Sequence, residues 1–121
     1  MKGYMRVIRP DGTTETTTCD GRVPSLQEIY AALECQYMEK VPGWDTLLGD
    51  EKQRCVVYID EGAKGAYGGP LKPVNDPATL EWERVAKRAG LLAPETRLSA
   101  RDYIAGNAVV LWGDREWMAE L

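Results

Sequence analysis

The run Cys55-Val56-Val57-Tyr58-Ile59 decides how this chain is expected to fold. Its five apolar or aromatic residues follow one another without interruption, and polar residues flank the run on both sides. A continuous run of this length that is rich in β-branched side chains predicts a central strand, partly covered on both faces. The segment Asp60-Glu61-Gly62 predicts a turn out of that strand. The rest of the chain must therefore supply neighbouring strands and covering helices.

Four further segments have the pattern of strands. Asp11-Gly12 is a strong hairpin signal, and it predicts one strand through Val7-Ile8 and a second, exposed strand over residues 13–18. Tyr37–Val41 predicts a short strand that ends at Pro42-Gly43, and Asn107–Trp112 predicts the last strand. Residues 44–53 are expected to form a loop.

Two helices are expected. The first begins at Ser25, where Ser25 and Glu28 have the spacing of a capping box. The second begins at Asp76-Pro77, with Asp76 as the N-cap, and ends at Gly90. Apolar residues recur at helical spacing in both segments: Leu26, Ile29, Tyr30 and Leu33 in the first, and Trp82, Val85, Ala86 and Ala89 in the second.

These elements predict an α+β fold in one domain over residues 1–113. We expect a mixed or antiparallel sheet of about five strands with two helices packed on one face. A chain of 121 residues with 44% hydrophobic and 28% charged residues has the composition of one folded domain. Residues 114–121 are expected to be a C-terminal tail.

Composition excludes several kinds of chemistry. The chain has no histidine, which rules out histidine-based catalytic triads and histidine metal sites, and we expect no metal and no cofactor. The three cysteines, an odd number, are widely spaced, as expected of reduced thiols. A net charge of −4 argues against nucleic acid as a partner. No signal-peptide pattern or membrane-spanning run is present in the sequence, so we expect a cytoplasmic protein.

The order of several motifs resembles a small domain-of-unknown-function family, number three-eight-four-six, found in phage, plasmid and prophage proteins. The resemblance covers about Met5 to Gly113. It implies an accessory protein of a mobile element and assigns no catalytic residue. Relative to that family, residues 80–101 have the character of an insertion. The motifs that carry the resemblance are Val7-Ile8-Arg9-Pro10, residues 37–41, residues 55–64, Pro70–Asn75 and Asp102–Val110.

The glycine-rich loop of residues 62–75 is one candidate binding site. Glycine-rich backbone can present N–H groups to an anion, and nearby lysine and arginine side chains can add positive charge. A plain turn around the sheet is the alternative interpretation of the same residues. The candidate ligand-binding residues are Lys64, Gly65, Gly68, Gly69, Lys72, Arg84 and Arg88.

Trp44 and Trp117 are candidate interface anchors, because large aromatic side chains in loops and tails are frequent contact residues. Covering the edge of the core is the alternative role. We therefore expect a non-catalytic binding protein that contacts a host or phage protein, in host takeover or counter-defence, or that forms a homo-oligomer. The alternative is a binder of a phosphate-bearing ligand or nucleotide signal through the glycine-rich loop. An enzyme is a third hypothesis, and it would have to work without histidine.

Overall fold

The chain folds around one antiparallel sheet, as a computed structural model of residues 1–65, 69–98 and 102–121 shows. The sheet has five strands in the order β2-β1-β7-β6-β3, and every neighbouring pair is antiparallel. These strands are β1 (Gly3–Ile8), β2 (Thr14–Thr18), β3 (Met38–Lys40), β6 (Val56–Asp60) and β7 (Ala108–Gly113). The α+β class and the five-stranded sheet are thus confirmed.

A small hairpin separate from the main sheet lies inside the segment that was expected to be a loop. It consists of β4 (Thr46–Leu47) and β5 (Asp50–Arg54). Gly49, with a φ of +88°, lies in the turn that joins the two strands. This turn lacks the alternating apolar pattern on either side that marks longer hairpins, which explains why the sequence pattern did not predict it.

The helices cover both faces of the sheet, so the expectation of two helices on one face is wrong. They are α1 (Leu26–Leu33), α2 (Asp76–Arg88) and α3 (Arg115–Ala119). On one face, α2 packs through Trp82 and Val85 against Val57 and Val110. On the other face, Leu33 of α1 and Trp117 of α3 pack with Val109 and Leu111. Both faces are covered because β7 is apolar on both sides and each side needs its own layer.

The first helix begins as its capping pattern predicts. The Ser25 hydroxyl accepts a hydrogen bond from the Glu28 N–H at 3.2 Å, and the Glu28 carboxylate accepts one from the Ser25 N–H at 3.4 Å. The helix ends at Glu34, which adopts a left-handed φ of +55°. Because a non-glycine residue rarely adopts this conformation, neighbouring contacts must hold this end of the helix in place.

The second helix is capped by Asn75, one residue before the predicted N-cap Asp76. The Asn75 side chain accepts a hydrogen bond from the Ala78 N–H at 3.0 Å. Either residue type can cap a helix, so the sequence alone does not distinguish the two. Trp82, Val85 and Ala86 are buried as predicted, whereas Ala89 is exposed.

The predicted C-terminal tail is part of the packed structure. Asp114 caps α3 by accepting a hydrogen bond from the Trp117 N–H at 3.0 Å, and the Trp117 side chain is fully buried. Across the described residues, no helix has both the length and the apolar character needed to cross a membrane.

Candidate functional site

Lys72, a predicted anion ligand, is held by three acceptors of the protein itself. Its ammonium group lies 2.7 Å from the Asp60 carboxylate and donates to the backbone carbonyls of Leu33 and Glu34 at 3.2 and 2.6 Å. A lysine ammonium group has three N–H donors, so these partners use all of them. Lys72 therefore fastens the end of α1 to the end of β6, and it has no donor left for a ligand.

The backbone of the glycine-rich loop turns back on itself. The Ala63 carbonyl accepts hydrogen bonds from the N–H groups of Leu71 and Lys72, at 2.8 and 3.1 Å. Gly65 has a φ of +74°, and a Cβ atom there would lie 2.9 Å from the Gly69 carbonyl oxygen. Gly69 also has a positive φ, whereas Gly68 lies outside the described residues. The contacts favour the turn interpretation over an open anion cradle.

The other predicted cations of this candidate site have separate surroundings. Lys64 forms an ion pair with Asp102 at 2.8 Å and lies over the ring of Tyr103. Arg88 donates to the Thr46 hydroxyl and the Leu47 carbonyl, so it fastens the small hairpin to α2. Arg84 is exposed on the same helix. Because these side chains share no partner, the structure does not bring the predicted ligand set together.

Trp44 and Trp117 are core residues, so the prediction that they anchor an interface is wrong. Their exposed fractions are 2% and 0%. The Trp117 indole N–H donates to the carbonyls of Cys19 and Arg22 at 2.8 and 3.0 Å. Neither side chain is accessible to a partner, because each fills space between the sheet and the adjacent chain segments.

A cavity of about 460 Å³ lies at the end of α1, and we call it the Tyr37–Leu71 cavity. Tyr37 and Leu71 line it with exposed fractions of 70% and 77%. The ion pair of Asp60 and Lys72 also lines this cavity, and the Asp60 carboxylate accepts a further hydrogen bond from the Gly62 N–H at 2.9 Å. Its two paired charged groups therefore stabilise the fold and offer little to an ionic ligand.

A second cavity of about 460 Å³ opens near the other end of β3, and we call it the basic cavity. It is defined by the basic residues Lys40, Arg54 and Arg115, all exposed, together with one acidic residue, Asp45. Within the described ranges, none of the three basic side chains has an ion-pair partner. Three unpaired positive charges around one cavity are a local exception in a chain with a net charge of −4.

The floor of the basic cavity is apolar and includes a tryptophan. Val41, Trp44, Cys55 and Met118 contribute to its lining. The Trp44 indole N–H is a buried donor for which the described residues provide no acceptor. Because the Trp44 side chain is only 2% exposed, its indole lies beneath the surface of the cavity and contributes packing rather than a donor.

The three thiols lie in surroundings that suppress ionisation. Burial raises the pKa of Cys55 to about 12, with a further contribution from Asp45 and Glu81. Burial also raises the pKa of Cys19 and Cys35, and nearby Glu28 and Asp60, respectively, add to the shift. Because the thiolate is the nucleophile, none of these side chains is activated for covalent chemistry. No cluster of three or more potential metal ligands is found where the structure describes the chain.

Sequence reasoning missed the basic cavity because its residues are distant along the chain. Lys40, Arg54 and Arg115 belong to β3, β5 and α3, and only the sheet order and the docking of α3 bring them together. Arg115 also lies in residues 114–121, which were predicted to form a tail rather than a packed helix.

Comparison with known proteins gives no match: no family model, no curated protein and no solved structure matches this chain. The resemblance to the mobile-element family therefore stays a prediction.

Proposed function

We propose that this chain is a non-catalytic binding protein that takes up an acidic segment of a partner protein in the basic cavity. The observation that carries this proposal is the convergence of Lys40, Arg54 and Arg115 on one apolar floor. Unpaired positive charges attract an anionic partner and orient it as it approaches. The resemblance implies an accessory protein of a mobile element, so the partner in this proposal is a host or phage protein. The sequence, which has no signal-peptide pattern, favours binding in the cytoplasm.

Three features support binding rather than catalysis. The chain has no histidine, the thiols are held protonated, and the partly buried Asp60 carboxylate is engaged by Lys72 and Gly62. General acid–base catalysis needs a group that changes protonation near neutral pH and is free to reach the substrate. The thiols stay protonated near neutral pH, and the Asp60 carboxylate is not free to reach a substrate.

The chemistry of the floor favours a peptide segment with apolar residues beside its acidic ones. Val56 and Met118, which are half-buried, can pack against apolar side chains, while the basic residues around them face carboxylates. The cavity is an open cleft, which suits a segment on a protein surface better than a fully enclosed small molecule.

Selection from a displayed library of random twelve-residue peptides tests this proposal. We expect the selected peptides to combine Asp or Glu with neighbouring apolar residues. Synthetic copies are then measured by fluorescence anisotropy against the unchanged protein and against Lys40→Glu and Arg115→Glu. Each variant should weaken binding at least about tenfold, the effect of losing a charge pair worth about 1.5 kcal/mol.

The controls are Lys52→Glu and Arg84→Glu, which make the same charge changes at exposed positions outside this cavity. The change at Arg115 is mild for the fold, because an acidic residue in the first turn of α3 interacts favourably with the helix dipole. Selection of neutral or basic peptides, or equal losses in the cavity variants and the controls, would contradict the proposal.

A further inference from the structure

The outer edge of β2 is an unprotected sheet edge. All five of its residues, Thr14 to Thr18, are exposed, and the strand pairs with β1 in an uninterrupted register from Tyr4↔Thr18 to Ile8↔Thr14. Proteins commonly blunt such edges with lysine, proline or a bulge, because an open edge can pair with another chain. β2 contains no lysine and no proline, and its pairing with β1 has no bulge.

The hydrogen-bond pattern shows which backbone groups of β2 face outward. Arg9 donates to the Thr13 carbonyl at 2.9 Å, and Cys19 donates to the Gly3 carbonyl at 2.8 Å. Hydrogen-bonded pairs alternate along an antiparallel ladder, so Glu15 and Thr17 bond to β1 between these two positions. The N–H and C=O groups of Thr14, Thr16 and Thr18 therefore point away from the sheet.

The outward N–H and C=O groups of β2 can form hydrogen bonds with the same groups of β2 in a second copy of the chain. If two β2 strands pair antiparallel with Thr16 opposite Thr16, Thr14 lies opposite Thr18 on both sides of the two-fold axis. All three pairs are then hydrogen-bonded pairs, which gives six hydrogen bonds between the two strands. Threonine pairs across strands are favourable, and three of the five pairs in this register are threonine pairs.

Charge and the number of hydrogen bonds together favour this register over its neighbours. With Thr16 opposite Thr16, each Glu15 faces Thr17 of the other copy, and Glu15 is already paired with Arg9 of its own chain at 2.7 Å. A shift of two residues in one direction places Glu15 directly opposite Glu15, which is unfavourable. A shift of two residues in the other direction leaves only four hydrogen bonds within β2.

We propose that two copies of this protein associate through β2 in this register and form one continuous ten-stranded sheet. The occupant of the edge is thus a second copy of the chain. β3, which carries Lys40 of the basic cavity, lies at the opposite edge of each sheet. With about 4.8 Å between strands, the two cavities would lie about 43 Å apart along the sheet, so the dimer would present two separate binding sites.

Sedimentation equilibrium tests the association over a range of concentrations. The contact is smaller than a standard interface of about 800 Å² per partner, so we expect a weak dimer populated at roughly 0.1–1 mM. The mass should approach twice the 13.5 kDa of one chain. The amide protons of Thr14, Thr16 and Thr18 should exchange more slowly at high concentration. A mass of one chain at about 1 mM would overturn the proposal.

Charged variants test the register itself. Thr16→Lys and Thr16→Glu each place like charges opposite one another and should abolish the dimer, whereas an equal mixture of the two should restore it. Thr17→Lys is the matched control, because its new charge faces Glu15 of the other copy and should preserve the dimer. A dimer that survives Thr16→Lys, fails to form in the mixture, or is lost in Thr17→Lys would refute this register.

Discussion

At the scale of single residues, Asn75 connects more of the fold than any sequence pattern indicates. It is fully buried, and its amide group donates to the carbonyls of Ile8 and Gly106 at 2.9 and 2.8 Å. Its side-chain oxygen caps α2 through Ala78, and its own N–H donates to the Ile104 carbonyl at 2.7 Å. One side chain thus joins the end of β1, the start of α2 and the segment that leads into β7.

We expect Asn75→Ala to lower the free energy of unfolding by about 3–5 kcal/mol. The change removes a helix cap, worth about 1 kcal/mol, and two buried hydrogen bonds to carbonyls, at about 1–2 kcal/mol each. Asn75→Asp should be at least as damaging at pH 7, although it keeps the capping oxygen, because it buries a negative charge against two carbonyl oxygens. Urea denaturation monitored by circular dichroism measures both changes.

Asp76→Asn is the control for this pair, because it alters the adjacent, exposed residue by the same exchange of carboxylate and amide. Its effect should remain below about 1 kcal/mol. If Asn75→Asp proved as stable as the unchanged protein, the two amide hydrogen bonds would contribute little to the stability of the fold.

At the scale of elements, α3 docks on the sheet because two glycines leave room for its tryptophan. Gly3 and Gly113 are paired across β1 and β7. A Cβ atom at Gly3 would lie within 2.2 Å of three atoms of the Trp117 indole, and one at Gly113 would lie 2.7 Å from the same ring. The indole therefore lies directly over backbone, and its N–H reaches the carbonyls of Cys19 and Arg22.

Gly3→Ala should lower the free energy of unfolding by about 1–3 kcal/mol, because the new methyl group displaces the indole. In combination with Trp117→Leu, which removes the obstructing ring, the loss should be smaller than the sum of the two single losses by about 1 kcal/mol or more. Chemical denaturation of the three variants gives this coupling energy directly.

Gly62→Ala serves as the control, since a Cβ atom there would make an ordinary contact, 3.6 Å from the Asp60 carboxylate. It should change stability by no more than about 0.5 kcal/mol. Strictly additive losses for Gly3→Ala and Trp117→Leu would mean that the glycine does not act through the indole.

The elements that the sequence predicts correctly are those with local signals. Asp11-Gly12 predicts the first hairpin, Ser25 and Glu28 predict the start of α1, and the apolar run after Arg54 predicts an interior strand, β6, although β7 and not β6 lies at the centre of the sheet. Contacts between distant segments could not be predicted. The side of the sheet on which α1 packs depends on the path of the loop before it, and the cavity around Arg115 depends on the docking of α3.

At the scale of the whole molecule, two hydrophobic clusters share the strands of one sheet. Ile8 and Val110 belong to the cluster on the α2 side, whereas their neighbours Val7 and Val109 belong to the cluster on the α1 side. Neither layer can keep its packing surface if the sheet is lost. We therefore expect the two clusters to unfold together as one cooperative unit.

Leu33→Ala and Ile104→Ala create cavities in the α1-side and α2-side clusters, because both side chains are fully buried. Each should lower the free energy of unfolding by about 2–5 kcal/mol, with no change in the dependence on urea concentration. Circular dichroism and tryptophan fluorescence should report the same transition. Leu71→Ala is the control for Leu33→Ala, because it makes the same side-chain change at a residue that is 77% exposed. It should have little effect on the free energy of unfolding. Separate transitions for the two probes would show two independent units.

The apolar character of β7 on both faces has a consequence for how the sheet avoids misalignment. A shift of Ala108–Leu111 by one residue would exchange one set of apolar side chains for another on each face of the sheet. The hydrophobic effect therefore disfavours this register shift only weakly. The contact of the Trp117 indole with Gly3 and Gly113 fixes the register instead. The ring fits only when these two glycines are paired across β1 and β7. We expect positions 3 and 117 to vary together during evolution, since a bulkier residue at Gly3 would demand a smaller one at Trp117, whereas Gly113 should stay glycine because the Lys2 carbonyl also lies close to it.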